Sequence, residues 1–222
     1  VLYCLYLLGG RQVPLNAGAL EDILIQTEGT FLEASDPDPV VAGNVETSQV
    51  LVDAILHALG ILSPGPGTMN NFSFGNEEYQ YYETVGGGTG AGAAFDGGSG
   101  IQCHMTNSRM TDVEILERRF PVLVEEFSIR RGSGGDGRYR GGDGLIRQIR
   151  FLQPMTVSLL TNRREQSPPG LEGGRPARKG RNILRLQDGS VRSLDYCAVV
   201  EVETGQSIRL ETPGGAGFGP ID

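Results

Sequence analysis

The stretch VLVEEFSIRRGSGGDGRYRGGDGLIRQIRFL (Val122–Leu152) decides the fold. Its ends, Val122–Arg130 and Leu145–Leu152, are short and rich in Val, Ile, Leu and Phe, the composition of β-strands. Between Gly132 and Gly144 stand seven glycines. Glycine lets one backbone approach another closely, at an entropic cost on folding. Flexible linkers are usually polar and Ser-rich, so a glycine cluster between strands reads as an ordered loop. Eight more glycines between Gly86 and Gly100 read the same way.

Outward from this stretch, further strands are expected at Ile23–Gln26, Tyr79–Val85, Ile101–Thr106, Thr156–Thr161, Ile183–Gln187, Ala198–Val202 and Ser207–Glu211. Asp188-Gly189 supplies a hairpin turn. Leu51, Ala54, Ile55 and Ala58 repeat at helical spacing, with Asn44 or Thr47 as cap and Gly60 as stop. A shorter helix should begin at Thr111, where Thr111 and Glu114 have capping-box spacing, and stop before Pro121. Val1–Leu8 reads as the end of a helix stopped by Gly9 and Gly10. The start resembles a cut, which would leave an apolar surface uncovered. The fold class expected is α+β, a mixed α/β front half with a predominantly antiparallel β back half. It forms one domain, 1–222, with a candidate sub-boundary near 121–130.

The net charge of -8 is uneven. Arg130–Arg192 holds 14 basic and 5 acidic residues, whereas every other part of the chain is acidic. Pairing with the acidic remainder explains such a segment, as does an anion-binding or partner surface. An acidic whole without aromatic-basic motifs argues against nucleic acid. The longest apolar run, Val1–Leu8, is far short of the ~20 residues of a membrane helix. Cys4, Cys103 and Cys197 are odd in number and without CxxC spacing, which fits a reducing cytoplasm.

Several chemistries are excluded by inventory. The single lysine, Lys179, precedes Gly180 and follows no glycine, so there is no P-loop. Gly88-Thr-Gly90-Ala-Gly92-Ala gives a GxGxxA match with no amphipathic helix after it. GxSxG and HExxH are absent. Of the two histidines, His57 lies four residues after Asp53 on a helix and reads as a surface pair. His104, in Cys103-His104-Met105-Thr106-Asn107, ends a strand-like stretch that can deliver it to a loop-lined pocket or bond it to backbone. Glu83, flanked by tyrosines, reads as a general base with raised pKa or as a solvent-facing strand residue. Asn70 and Asn71 suit backbone turns or a substrate amide equally.

Taken in order, VAGNVETSQ (41–49), GTMNNFSFG (Gly67–Gly75), YYETVGGGTGAG (Tyr81–Gly92), HMTNSRMTDVEILERRFPV (His104–Val122), RRGSGGDGRYRGGDG (Arg130–Gly144) and ETPGGAGFG (Glu211–Gly219) resemble the hydantoinase B/oxoprolinase family. Within it the sequence is most similar to the C-terminal part of the B-type half of a bacterial 5-oxoprolinase. The resemblance implies an ATP-dependent amidohydrolase that opens 5-oxoproline to glutamate. An A-type half binds ATP and activates the lactam, and the B-type half helps water open the ring. ATP and a divalent metal belong to the complete enzyme, with neither expected on this segment and no metal ligands assignable here. Its partners would be the A-type ATP-binding half, the N-terminal part of the B-type half, a small-molecule lactam and further copies of itself.

Two roles follow. In the first, Glu83 and His104 handle protons while Asn70, Asn71, Gly87, Gly88, Thr106 and Asn107 orient substrate. In the second, the segment is a structural docking unit that uses its basic stretch. Under both, the isolated segment is expected to be inactive.

Overall fold

A computed structural model describes residues 1–9, 14, 16–38 and 43–221. Gly10, Val41 and Ala42 lie outside these, so the expected helix stop can be followed only to Gly9. Helix α1 spans Leu2–Gly9 and a 3-10 turn spans Ala17–Leu20. Helix α2, Asn44–Ala58, is followed by strands β1 (Asn71–Gly75) and β2 (Gln80–Thr84), helix α3 (Val113–Arg119) and strand β3 (Val122–Arg130). The remaining strands are β4 (Gly144–Phe151), β5 (Met155–Leu160), β6 (Arg181–Arg185), β7 (Val191–Leu194), β8 (Cys197–Val202) and β9 (Ser207–Glu211).

Two antiparallel sheets result, one of order β2-β1-β5-β8 and one of order β3-β4-β9-β6-β7. Alternation puts Leu145, Arg147, Ile149 and Phe151 of β4 on one buried face. These apolar residues join Phe72 and Phe74 of β1, Val157 and Leu159 of β5 and Ile208 and Leu210 of β9 in a single core cluster. Phe74 meets Phe120 and Phe151 edge to face at 5.7 and 5.5 Å, the geometry aromatic quadrupoles favour. One core therefore draws on both sheets, and the fold is α+β with an antiparallel back half.

The glycine clusters are ordered. A Cβ on Gly88 would lie 1.9 Å from the carbonyl oxygen of Gly142, and one on Gly141 1.8 Å from that of Gly215. Both clusters and the segment 213–219 thus pack backbone against backbone, with Gly88 N–H donating to Pro213 O and Ala91 N–H to Ala216 O.

Several elements differ from expectation. Ile23–Gln26 is not a strand; Leu24 is 90% exposed, and an apolar run without a neighbouring strand gains no ladder. Ile101–Thr106 is a turn with only a bridge at Ile101. The short helix is capped by Asp112, whose side chain accepts from Glu114 N–H, not by Thr111. On α2 no side chain caps the start: the N-cap is Gly43, and the Thr47 hydroxyl instead donates back to its carbonyl. Asp188-Gly189 does turn the β6–β7 hairpin, with Gly189 at φ 83°. Among the described residues no helix is long and apolar enough to cross a membrane.

Candidate functional site

The face that α2 buries is largely polar, with Val52 and Leu56 packed against Cys4 of α1. Glu46, Gln49, Val52, Asp53 and Leu56 are buried, whereas Leu51, Ala54 and Ala58 of the expected apolar stripe are exposed. Three segments lie against this face: Gly65–Asn71, Cys103–Thr106 and Asn162–Arg164. Each carries a non-glycine residue at positive φ, namely Asn70 at 47°, His104 at 54° and Arg163 at 56°. Such conformations cost on the order of 1–3 kcal/mol each and persist only where neighbours impose them.

The bonds that impose them are visible. Gln49 is fully buried and brackets His104: its Nε2 donates to Cys103 O at 3.1 Å, and its Oε1 accepts Met105 N–H at 3.2 Å. Thr106 closes the turn by donating its hydroxyl to Cys103 O at 2.9 Å. Held this way, His104 Nε2 lies 3.2 Å from Oδ1 of Asp53, whose side chain is 1% exposed. The same Oδ1 accepts Gly65 N–H at 3.2 Å. Arg163 approaches the other oxygen, Oδ2, at 3.9 Å. His57 does not take part, and its expected pairing with Asp53 gives way to His104 because Asp53 points inward.

On its other side His104 faces Tyr3 of α1, with 3.4 Å between the Tyr3 hydroxyl and Nδ1. Tyr3 and His104 line a cavity of about 360 Å³ with Leu56, Ile61, Leu62 and Phe95. That volume falls in the roughly 300–1,000 Å³ range of small-molecule sites. Burial pushes the neighbouring Cys103 thiol up to about 12, so it is an inert thiol.

Along α2, Glu46 accepts Met69 N–H at 2.7 Å and the Asn71 amide at 2.9 Å. Burial raises its pKa, against the bonds from Thr68, Met69 and Asn71 and the charge of Arg164. Arg164 is pushed down to about 9 by burial, and donates to the side-chain oxygens of Asn70 and Asn182 and the carbonyl of Asn162.

The expected site residues therefore separate. Glu83 is not a lone carboxylate in an apolar setting: Arg147 holds it from Nε and Nη2 at 3.1 and 3.2 Å, and the Tyr81 hydroxyl donates to it at 2.8 Å. Asn70 gives its amide to Val85 O, and Asn71 bonds Glu46, Leu160 O and Tyr82. Gly87 N–H is committed to Ile101 O and Gly88 N–H to Pro213 O. Thr106 is buried in the turn, and Asn107 is exposed. Gln49, Tyr3 and Arg163 join His104 without having been singled out, Asp53 joins it although read as the partner of His57, and Glu46 lies farther along the same face of α2. Their one sequence signal is the polar spacing of Glu46, Gln49 and Asp53 at three and four residues along a helix.

Among the described residues, no three His, Cys, Asp or Glu side chains gather as a metal site. The Gly87 and Gly88 amides are committed to backbone carbonyls, which leaves neither free to hold a phosphate.

The sequence matches the model of the hydantoinase B/oxoprolinase family over residues 1–221. It is 47% identical over 222 residues to a 5-oxoprolinase of Dictyostelium discoideum, covering 100% of this chain and 18% of that protein. A 5-oxoprolinase 1 of Arabidopsis thaliana is 47% identical over 220 residues, covering 99% of this chain and 17% of that protein. The fold is similar to that of an ATP-dependent caprolactamase from Pseudomonas jessenii, with TM-score 0.79 at 22% identity, over 99% of this chain and 42% of that one. The chain thus spans less than a fifth of the length of these curated relatives.

Proposed function

The chain belongs to the hydantoinase B/oxoprolinase family, and on that premise we propose that it is part of an ATP-dependent amidohydrolase opening the lactam ring of 5-oxoproline to glutamate. The names of the 47% identical relatives support that substrate. The ATP-using A-type half and the N-terminal part of the B-type half are then supplied from outside these residues. A reducing cytoplasm suits the three free cysteines.

The observation that carries the catalytic reading is His104 in a left-handed turn, 3.2 Å from a buried Asp53, at the wall of a 360 Å³ cavity. Ring opening adds water to a carbonyl and expels a nitrogen, and each step moves a proton. Histidine is suited to both directions near neutral pH. Asp53 fixes the ring's orientation and balances the imidazolium charge. Gln49, Thr106 and Asn70 hold the turns, and Glu83 with Arg147 braces β2 against β4. The apolar walls exclude water from the ring methylenes.

The test is glutamate release from 5-oxoproline and ATP by full-length protein carrying His104→Ala. A loss of about 10²-fold or more is expected; near-normal turnover with intact folding would sink the assignment.

A docking role receives separate support from Leu24 and Phe31, which are 90% and 95% exposed. Apolar side chains left this open suit a covering partner. Six of the thirteen arginines of the basic stretch pair with carboxylates within the fold, among them Arg130 and Arg181 with Glu211. Exchanging Leu24 and Phe31 for serine should then shift oligomeric state on sizing; an unchanged profile counts against docking there.

A further inference from the structure

Resting on the ring-opening reading above, we propose that Tyr3 is the group that exchanges protons with water and the lactam nitrogen, working with His104 and Asp53 as a Tyr–His–Asp relay. An ionised carboxylate only accepts, so the Asp53 contact at 3.2 Å places the proton of neutral His104 on Nε2. Nδ1 is then the ring's acceptor, and the Tyr3 hydroxyl lies 3.4 Å from it. Both ring nitrogens are thereby occupied. Tyr3 is the group through which Nδ1 meets the cavity in this proposal.

The setting supports the same role. Tyr3 and His104 both line the cavity, and their rings meet edge to face at 5.9 Å and 81°. Burial, followed by the neighbouring Cys103 and Cys4 thiols, raises the phenol's pKa, so Tyr3 carries its proton at neutral pH. Among the described residues, the charged groups facing the relay are Asp53 and, beyond it, Arg163.

The steps balance. As the oxygen of water bonds to the lactam carbonyl carbon, a water proton moves to the Tyr3 oxygen while the phenol proton moves to Nδ1. Asp53 holds the resulting imidazolium. When the carbon–nitrogen bond breaks, its electron pair goes to nitrogen, Tyr3 protonates that nitrogen, and Nδ1 returns its proton to Tyr3. The three side chains end as they began.

Full-length protein carrying Tyr3→Phe keeps the ring and its packing while removing the relay. We expect kcat for glutamate formation to fall about 10²-fold with KM little changed. Site-specific 3-fluorotyrosine at position 3, a more acidic phenol, should move a limb of the pH profile to lower pH. Wild-type kcat in Tyr3→Phe together with an inactive His104→Ala overturns the relay but leaves the ring-opening reading standing. Wild-type activity in both variants overturns that reading itself. An unmoved pH profile with 3-fluorotyrosine also counts against the relay.

Discussion

Asp53 and His104, 51 residues apart in sequence, meet at 3.2 Å between a buried carboxylate oxygen and Nε2, and the same oxygen also receives the Gly65 amide. One carboxylate therefore orients the histidine ring and anchors the loop beside it. Asp53→Asn keeps the size but offers an amide donor and no charge for the imidazolium. Glutamate formation in the full-length protein should fall by about 10²–10⁴-fold, with far-ultraviolet circular dichroism unchanged. Wild-type turnover would show that the pairing only builds structure.

Arg147 is fully buried and grips Glu83 from two nitrogens. Removing one partner of such a pair strands a charge away from water, at a cost of about 3–5 kcal/mol. Arg147→Ala should lower stability by that order in denaturant unfolding, whereas a Glu83→Gln, Arg147→Met double variant should recover much of it. A single variant within about 0.5 kcal/mol of wild type would contradict a bracing role.

The two glycine clusters make unequal demands. A Cβ on Gly88 would meet Gly142 O at 1.9 Å, while one on Gly132 meets nothing within 4 Å, although its φ is +74°. Gly88→Ala should give little folded, soluble protein, and Gly132→Ala should cost only about 1–2 kcal/mol of left-handed strain. Equal thermal melting of the two variants would contradict backbone-on-backbone packing.

Glu46 supplies a pH dependence. Burial raises its folded pKa above the ordinary value of 4.5, offset in part by the bonds from Thr68, Met69 and Asn71 and the charge of Arg164. Folding then favours the protonated acid. The stabilisation is fully present below the unfolded pKa and is lost as pH rises through the higher folded one. Glu46→Gln should therefore flatten the stability profile from about pH 4 upward, relative to wild type. Parallel profiles in denaturant titrations would contradict the sign.

Much of the fold was legible because β4 and β5 alternate and, with β8 and β9, pack apolar residues on a shared core. Strands β1 and β7 were missed. NFSFG ends in glycine inside a motif-like run, and VRSL shows little burial from which to read a period. The larger error was the face of α2. Hydrophobic periodicity chose Leu51, Ala54, Ile55 and Ala58, but Glu46, Gln49 and Asp53 are buried, where three turns bond Glu46 Oε1, both amide atoms of Gln49 and Asp53 Oδ1. A polar site hides from a rule that equates burial with apolarity. For the same reason Asp53 was matched to His57 at helical spacing, while its partner His104 lay in a turn whose left-handed backbone no alternation pattern reveals.

On the proposed function, His104 and Asp53 serve ring opening and not nucleotide chemistry. The most direct measurement is the glutamate formed per phosphate released by full-length His104→Ala with 5-oxoproline and ATP. This ratio should fall well below that of wild type, with phosphate release continuing. An unchanged ratio at an unchanged rate would contradict it.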